Sequence, residues 1–374
     1  MKAFDELAQV SETLQNRFVK DWKEQGKKVV GYVCSYFPEE ILYAADILPY
    51  RITGKGASDT SQADSYLSRF NCSFSRCCLE QRFEGEYDFL DGAIWVNGCD
   101  HIRRCYDNWK TKAPFSFMHM LPVPHKVFDE GRQWFKEEVA TLKSAIEDHF
   151  ELTITSEQLT KAAATYNETR QLLKKLYDLR AGKEFSFTGA EAMTVLSAAT
   201  AMPRDTFNQI LGQLIQEIEK IPKKPNGGIR LLVAGSLMDD PGFIENVEDL
   251  GASVVTDALC FGTKYYWGLT EEKGDIFENL IDRYYHHAPC PRMAGEYPTR
   301  LAFIKDQINR ADVKGVILEH IKFCDLHGTD NALLKMDLEK EGIAVLELER
   351  QYGPLADAGR VRTRVQAFLE RIGG

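Results

Sequence analysis

The 374-residue sequence has no run of about 18 apolar residues, the length a helix needs to cross a bilayer. Its opening segment, Met1–Phe18, mixes both charge signs on an amphipathic pattern and has no apolar leader core. A cytoplasmic chain without a membrane partner is therefore expected. Positive charge is in deficit: 46 Lys and Arg stand against 56 Asp and Glu, a net charge of -10, which argues against a general nucleic-acid binder. No Walker sequence is present, so hydrolysis of ATP by this chain itself is not expected. Gly54-x-Gly56 lacks the remainder of a dinucleotide fingerprint. The close paired C-x2-C spacings of structural zinc are missing as well. In a reducing compartment the nine cysteines do not read as a disulfide framework. What is present, 44% hydrophobic and 27% charged residues, is ordinary for a globular protein, and the length allows two or three domains.

Strand and helix patterns alternate at both ends of the chain. A helix is expected over 3–26, ending at Gly26. A buried strand follows at Lys28–Val33, then a helix opened by Pro38-Glu39-Glu40, where proline suits the first position and acids the first turn. Further strands are expected at Ile47–Arg51, Ala93–Val96 and Pro114–Met118, with loop at 53–65 and a helix from about Asp100. From 129 to 221 the spacing is helical throughout, as in Phe135, Val139, Leu142 and Ile146, with a Thr188/Glu191 capping box. Lys223–Gly228 reads as a linker. Alternation resumes with strands at Ile229–Ala234, Ala252–Val255, Val313–Leu318 and Ile343–Leu348, a helix after Pro241, and a closing helix at Arg362–Ile372. Such alternation implies an α/β fold of parallel, wound sheets. The expected division is 1–128 and 227–374 as α/β domains, with 129–226 as a helical segment between them. The two halves look like pseudo-repeats, since each places a cysteine after a strand.

Five of the nine cysteines fall between 72 and 109: Cys72, Cys77, Cys78, Cys99 and Cys105. Cys99 sits where a strand ends and a helix begins, and there the helix dipole lowers a thiol's pKa. Cys99 and Cys324 are each followed by aspartate at a strand's C-terminal end, the edge at which α/β sheets bind ligands. Cys290 is held in a stiff Pro289-Cys290-Pro291. Cys34 and Cys260 read as small buried apolar residues. Thiolates gathered from distant strand ends suit an iron–sulfur centre, because its irons bind soft sulfur donors. Three thiolates on a four-iron cubane leave one iron open, and six hold two cubanes joined by a sulfide. Spacing alone does not choose between these. His286-His287 reads as an exposed pair in a polar loop. Arg103-Arg104, with Lys110 and Lys112, makes a basic patch that is either a solvated helix face or a site for phosphates.

At these residues the chain resembles the iron–sulfur subunits of the benzoyl-CoA reductase and (R)-2-hydroxyacyl-CoA dehydratase family. The matching pieces are GYVCSYFPEEILYAADILPYRITG (31–54), CSFSRCCLEQRFEGEYDFLDG (72–92), GCDHIRRCYDNW (98–109), GSLMDDPGFIENVEDLGASVVTDALCFGTKYYWG (235–268), HIKFCDLHG (320–328) and GPLADAGRVRTRVQAFLER (353–371). The resemblance implies two flavodoxin-like domains with a helical portion, a homologous partner subunit (as a hetero- or homodimer), and a separate ATP-hydrolysing iron–sulfur activator that feeds in single electrons. It implies a [4Fe-4S] cluster on Cys72, Cys99 and Cys324, or an [8Fe-9S] double cubane with Cys77, Cys78 and Cys290 added, Cys105 being the alternative to one of these. The activity it implies is low-potential reduction of an aromatic acyl-CoA, as in benzoyl-CoA reductase. The alternatives are an (R)-2-hydroxyacyl-CoA dehydratase subunit or a homodimeric double-cubane reductase of small molecules. Such chemistry needs a dry site, for which Phe70, Phe74, Trp95 and Trp109 are candidate walls. Glu39, Glu40 and His101 are the candidates for proton handling. Arg103 and Arg104, with N–H groups at helix starts, are the candidates to bind the anionic part of CoA.

Overall fold

The computed structural model describes residues 1–222, 227–353 and 358–373. Four strands, β1 (Val29–Tyr32), β2 (Leu48–Arg51), β3 (Gly92–Val96) and β4 (Phe117–Leu121), form a parallel sheet in the order β2-β1-β3-β4. Four more, β5 (Ile229–Gly235), β6 (Ala252–Ala258), β7 (Gly315–Ile321) and β8 (Ala344–Arg350), form a second parallel sheet in the order β6-β5-β7-β8. The two orders are equivalent, so each half is the same doubly wound, flavodoxin-like unit. Every residue of β1 and β3 is buried, which explains why both read as unbroken apolar runs.

The helices, in chain order, are α1 (Lys2–Val10), α2 (Arg17–Glu24), α3 (Glu40–Ala44), α4 (Ser73–Phe83), α5 (Asp100–Lys112), α6 (Asp129–Phe150), α7 (Ser156–Arg180), α8 (Gly189–Ala199) and α9 (Arg204–Lys220). There follow α10 (Pro241–Glu248), α11 (Thr263–Tyr266), α12 (Ile276–Tyr285), α13 (Tyr297–Arg310), α14 (Asp325–Lys340) and α15 (Ala358–Gly373). None among the described residues is long and apolar enough to cross a membrane.

Several expectations are corrected. The helix expected over 3–26 is two helices, because the Asn16 side chain accepts from the N–H groups of Phe18 and Val19 and starts a new one. The strand expected at Pro114–Met118 begins at Phe117, paired with Gly92; a proline has no N–H to give a ladder. The strand expected at Val313–Leu318 runs from Gly315 to Ile321. Helix α4 goes beyond the expected elements. Ser73 through Gln81 are all buried, so no polar face marks the helical period. Most of the expected linker, residues 223–226, lies outside the described residues.

The helical segment packs on both sheets. One apolar cluster joins Val30 and Ile94 of the first sheet to Phe135 and Val139 of α6, Ala162 of α7 and Leu280 of α12. Helix α8 in turn lies against α1, α10 and β6. The helices between the two sheets therefore share cores with each.

Candidate metal centre

Four cysteines lie just past strand ends: Cys34 two residues after β1, Cys99 three after β3, Cys260 two after β6 and Cys324 three after β7. Because β3 and β7 occupy the same place in their sheets, Cys99 and Cys324 are topologically equivalent. Each is the N-cap of the following helix, α5 and α14, and Cys72 is the N-cap of α4. None of the three caps its helix through the side chain, although the Cys72 sulfur donates to Ser75 Oγ at 3.6 Å in the first turn of α4. Cys34 and Phe323, the latter just before Cys324, hold positive φ of 84° and 69° at these loops. Non-glycine residues adopt that region rarely, and it concentrates at functional sites.

The loops carrying these thiols are tied together. The N–H of Cys72 donates to His101 Nδ1 at 3.2 Å, which links the start of α4 to α5. The rings of Phe70 and Phe323 meet edge to face at 5.4 Å and link the Cys72 loop to the Cys324 loop. Arg292, two residues after Cys290, donates to the carbonyl of Gly98 at 3.4 Å and to Asn97 Oδ1 at 3.2 Å. Burial pushes the Cys99 thiol up to about 12, with the charge of Cys72 and then Cys290 adding, while the N–H groups of Ile102 and His101 pull it back. Cys324 is raised by burial and then by Cys72, Cys99 and Cys290, against the His327 N–H. Burial likewise raises Cys72.

This corrects the electrostatic expectation. Helix-start N–H groups do favour the thiolates, but burial outweighs them, and the thiols are neutral until a cation ionises them. A coordinated metal does that outright. Among the described residues no three His, Cys, Asp or Glu side chains stand close enough to share a single metal ion. An iron–sulfur cluster takes each thiolate on a different iron, so its ligands stand farther apart. A set of three soft donors, one buried and two partly covered, fits such a cluster and does not fit a hard oxygen-seeking ion.

Cys77 and Cys78 lie inside α4, 0% and 1% exposed, among Leu79, Tyr87 and Tyr352. Burial pushes Cys77 up to about 12 and Cys78 well above the ordinary thiol value, and Cys105 is the first charge to add to Cys78. Cys105 donates to the Ser75 carbonyl at 3.3 Å within the same core. Gly54 makes room for this arrangement. A Cβ there would lie 2.5 Å from Cys77 Cβ and 2.8 Å from the Tyr352 ring, and the Gly54 N–H donates to Tyr352 Oη at 3.2 Å. The G54A variant is expected to lose about 1–3 kcal/mol of stability through overpacking, measured as a lowered urea midpoint. An unchanged midpoint would show that the core yields at no cost.

A second group of thiols, Cys34, Cys260 and Cys290, combines two residues that the sequence pattern assigns to packing with one that it sets beside the first group. Burial pushes Cys34 up to about 11, with Cys290 as the first charge to add and Cys260 another. Arg51 donates to the Cys260 carbonyl at 2.8 Å and to its sulfur at 3.3 Å. The Cys290 N–H donates to Tyr36 Oη at 3.3 Å, and Arg300 to the Cys290 carbonyl at 3.4 Å. The signal that marks Cys34 is positional: it follows the first strand, beside the point where strand order reverses.

Of the proton-handling candidates, His101 is at the thiols. Burial lowers its pKa, against Asp325 and Asp100, and since Nδ1 accepts from Cys72, the neutral ring carries its proton on Nε2. Glu39 and Glu40 are turned toward the helical segment and α11–α12. Glu39 accepts from Arg204 at 2.7 Å, Tyr166 at 3.2 Å and Tyr265 at 3.3 Å. Glu40 accepts from Arg170 at 2.5 Å and Tyr284 at 2.6 Å. Arg103 and Arg104 are exposed on α5, where Arg104 pairs with Asp100 at 3.4 Å. Of the expected dry walls, Trp95 and Trp109 are buried and meet edge to face at 4.9 Å, and Phe74 is buried against Tyr352, but Phe70 is 73% exposed. His287, expected to be exposed, is buried against Tyr36, and burial takes its pKa down to about 3.

The family described as 2-hydroxyglutaryl-CoA dehydratase, D-component, matches residues 34–372, the stretch that runs from Cys34 into α15 and carries all nine cysteines. The chain belongs to this family. The (R)-phenyllactyl-CoA dehydratase beta subunit of Clostridium sporogenes is 25% identical over 374 residues, covering 99% of each chain. A benzoyl-CoA reductase subunit of Thauera aromatica is 25% identical over 322 residues, 84% of this chain and 83% of its own. The (R)-2-hydroxyglutaryl-CoA dehydratase beta subunit of Acidaminococcus fermentans is 24% identical over 388 residues, 98% of each chain. Like these family members, the chain is an enzyme subunit.

Proposed function

We propose that this chain is the iron–sulfur subunit of an enzyme that activates an acyl-CoA thioester with single electrons, working with a homologous subunit and an ATP-hydrolysing iron–sulfur activator. The observation that carries this reading is the placement of Cys72, Cys99 and Cys324 at three helix starts, none of which they cap through the side chain. A cluster held there supplies electrons at low potential. The protein's part is to keep water out and to meet the negative charge that appears on the thioester. Helix-start N–H groups of α4, α5 and α14 point toward the thiols. His101, neutral with its proton on Nε2, can donate a hydrogen bond to an anion formed beside it. Arg103 and Arg104 on the outer face of α5 suit the diphosphate of CoA.

Two substrates are in contention. Dehydration of an (R)-2-hydroxyacyl-CoA is supported by dehydratase beta subunits that align with nearly the whole chain. Reduction of an aromatic acyl-CoA is supported by the benzoyl-CoA reductase relative. The complex, reduced and supplied with ATP and activator, is to be given each thioester. A dehydratase turns over many times per electron, because the electron is returned after loss of water. A reductase consumes reductant in proportion to product. Turnover of neither thioester by an iron-loaded complex would sink the proposal.

The group Cys34, Cys260 and Cys290 adds a second reading. On this reading these three join Cys72, Cys99 and Cys324 to make six thiols, as many as a bridged pair of cubanes takes, in place of Cys77 and Cys78 inside α4. Iron and acid-labile sulfide per chain decide between about four of each and about eight irons with nine sulfides.

A further inference from the structure

Arg292, in the loop between α12 and α13, is 3% exposed and reaches across to the first sheet. Its guanidinium donates to the carbonyl of Gly98 at 3.4 Å and to Asn97 Oδ1 at 3.2 Å, in the loop between β3 and Cys99. It also donates to the carbonyls of Val123 at 2.8 Å and Pro124 at 3.0 Å, just past β4. The Tyr36 ring lies 5.0 Å from the guanidinium carbon, and Tyr36 Oη accepts from the Cys290 N–H. One side chain therefore joins the Cys290 loop to the residue before Cys99. All of these acceptors are neutral. Met293 Sδ at 3.2 Å and His125 Nε2 at 3.4 Å also meet the guanidinium and bring no negative charge. Among the described residues no carboxylate pairs with Arg292, whereas the buried Arg300, Arg350 and Arg170 hold Asp330, Glu319 and Glu40.

Carbonyl dipoles make a buried guanidinium tolerable, but they leave its unit charge standing. That charge is fixed at the backbone of the Cys99 loop, where an arriving anionic centre would meet it. We propose that Arg292 is a positioning residue of the Cys99 loop, and that its uncompensated charge raises the reduction potential of the iron–sulfur centre. This rests on the functional reading proposed above. Groups behind a metal ligand orient it and tune the metal. A buried charge is weakly screened, and cluster potentials follow net charge and hydrogen bonding.

The test compares R292Q, R292K and N97D with the wild-type full-length chain, purified anaerobically. Iron and acid-labile sulfide are measured first, then the potential, by mediated redox titration followed by electron paramagnetic resonance. In R292Q, which removes the charge, the one-electron reduction equilibrium is expected to fall about tenfold, a downward shift of about 59 mV. R292K keeps the charge and is expected to keep most of the wild-type potential. N97D leaves Oδ1 in place to accept from Arg292 and from the Val123 N–H, and it neutralises the guanidinium where it stands. It is expected to shift the potential down as R292Q does, with the iron content unchanged. An unchanged potential in iron-loaded R292Q overturns the proposal, as does an equal fall in R292K, which marks the bonds and not the charge. Should both arginine variants lose iron, N97D decides: a downward shift supports the proposal and an unchanged potential overturns it. Absence of iron and sulfide from the wild type overturns the underlying functional reading, a result distinct from all of these.

Discussion

Replacing Cys99 by alanine is expected to strip the anaerobically purified protein of its iron–sulfur centre and to lower turnover of the assembled complex by at least about 100-fold. Outer-shell changes at metal sites cost roughly 10–100-fold, and loss of a ligand costs more. Cys324→Ala is expected to do the same, because the two residues hold equivalent places after β3 and β7. The fold survives both changes. Each cysteine is an N-cap that makes no capping bond through its side chain, so alanine removes no interaction from the helix start. Cys105→Ala supplies the contrast. That sulfur is fully buried and donates to the Ser75 carbonyl, so its loss is expected to cost about 1–2 kcal/mol while leaving iron and sulfide in place. Retention of a full complement of iron in the Cys99 variant would remove that residue from the ligand set.

Arg170→Ala is expected to lower stability by about 3–5 kcal/mol, read from chemical denaturation at pH 7. Arg170 and Glu40 are 4% and 0% exposed and meet at 2.5 Å, and Tyr284 closes the other side of the carboxylate. Removing the guanidinium strands a buried charge between α3 and α7. The double variant Arg170→Met with Glu40→Leu is expected to cost far less, since it removes both charges and fills the space. The pH dependence follows from Glu40. Burial alone pushes this carboxyl up, but Arg170, Arg283 and Tyr284 outweigh burial and hold it below its ordinary value of 4.5. The pair therefore contributes fully above about pH 4.5 and is lost as pH falls through the lower, folded value. With Arg170 gone, the remaining carboxyl takes up a proton more readily. The deficit of the single variant relative to wild type is expected to shrink on acidification from pH 7 toward pH 4.5. A deficit that stays constant over this range would show that the two groups do not interact.

Much of the architecture is legible in the sequence. Strands such as Val29–Tyr32 and Gly92–Val96 are short apolar runs bounded by turn signals, and both are buried on each face as such runs require. The capping box at Thr188 and Glu191 stands where the spacing puts it and opens α8. Helix α4 is not legible, because it is buried on all sides and its apolar period vanishes. The split between α1 and α2 turns on one asparagine, whose side-chain bonds compete locally with a continuing helix.

For the site, the chain's own residues point to a thiol-rich centre at strand ends, and Cys99 and Cys324 can be paired by pattern alone. The pattern does not tell which of the remaining cysteines face that edge. Adjacency in sequence joins Cys77 and Cys78 to Cys72, and all three lie in one apolar cluster, Cys72 at the start of α4 and the other two inside it. Distance in sequence separates Cys34 and Cys290, yet both pack against one apolar cluster. Glu39 and Glu40 likewise look close to the thiols in sequence and are spent on arginines more than a hundred residues away. Strand periods and helix caps are set by near neighbours, so the sequence carries them. Burial and charge pairing depend on contacts between distant segments, so only the tertiary structure could decide which thiols are buried and which acids and cations are paired.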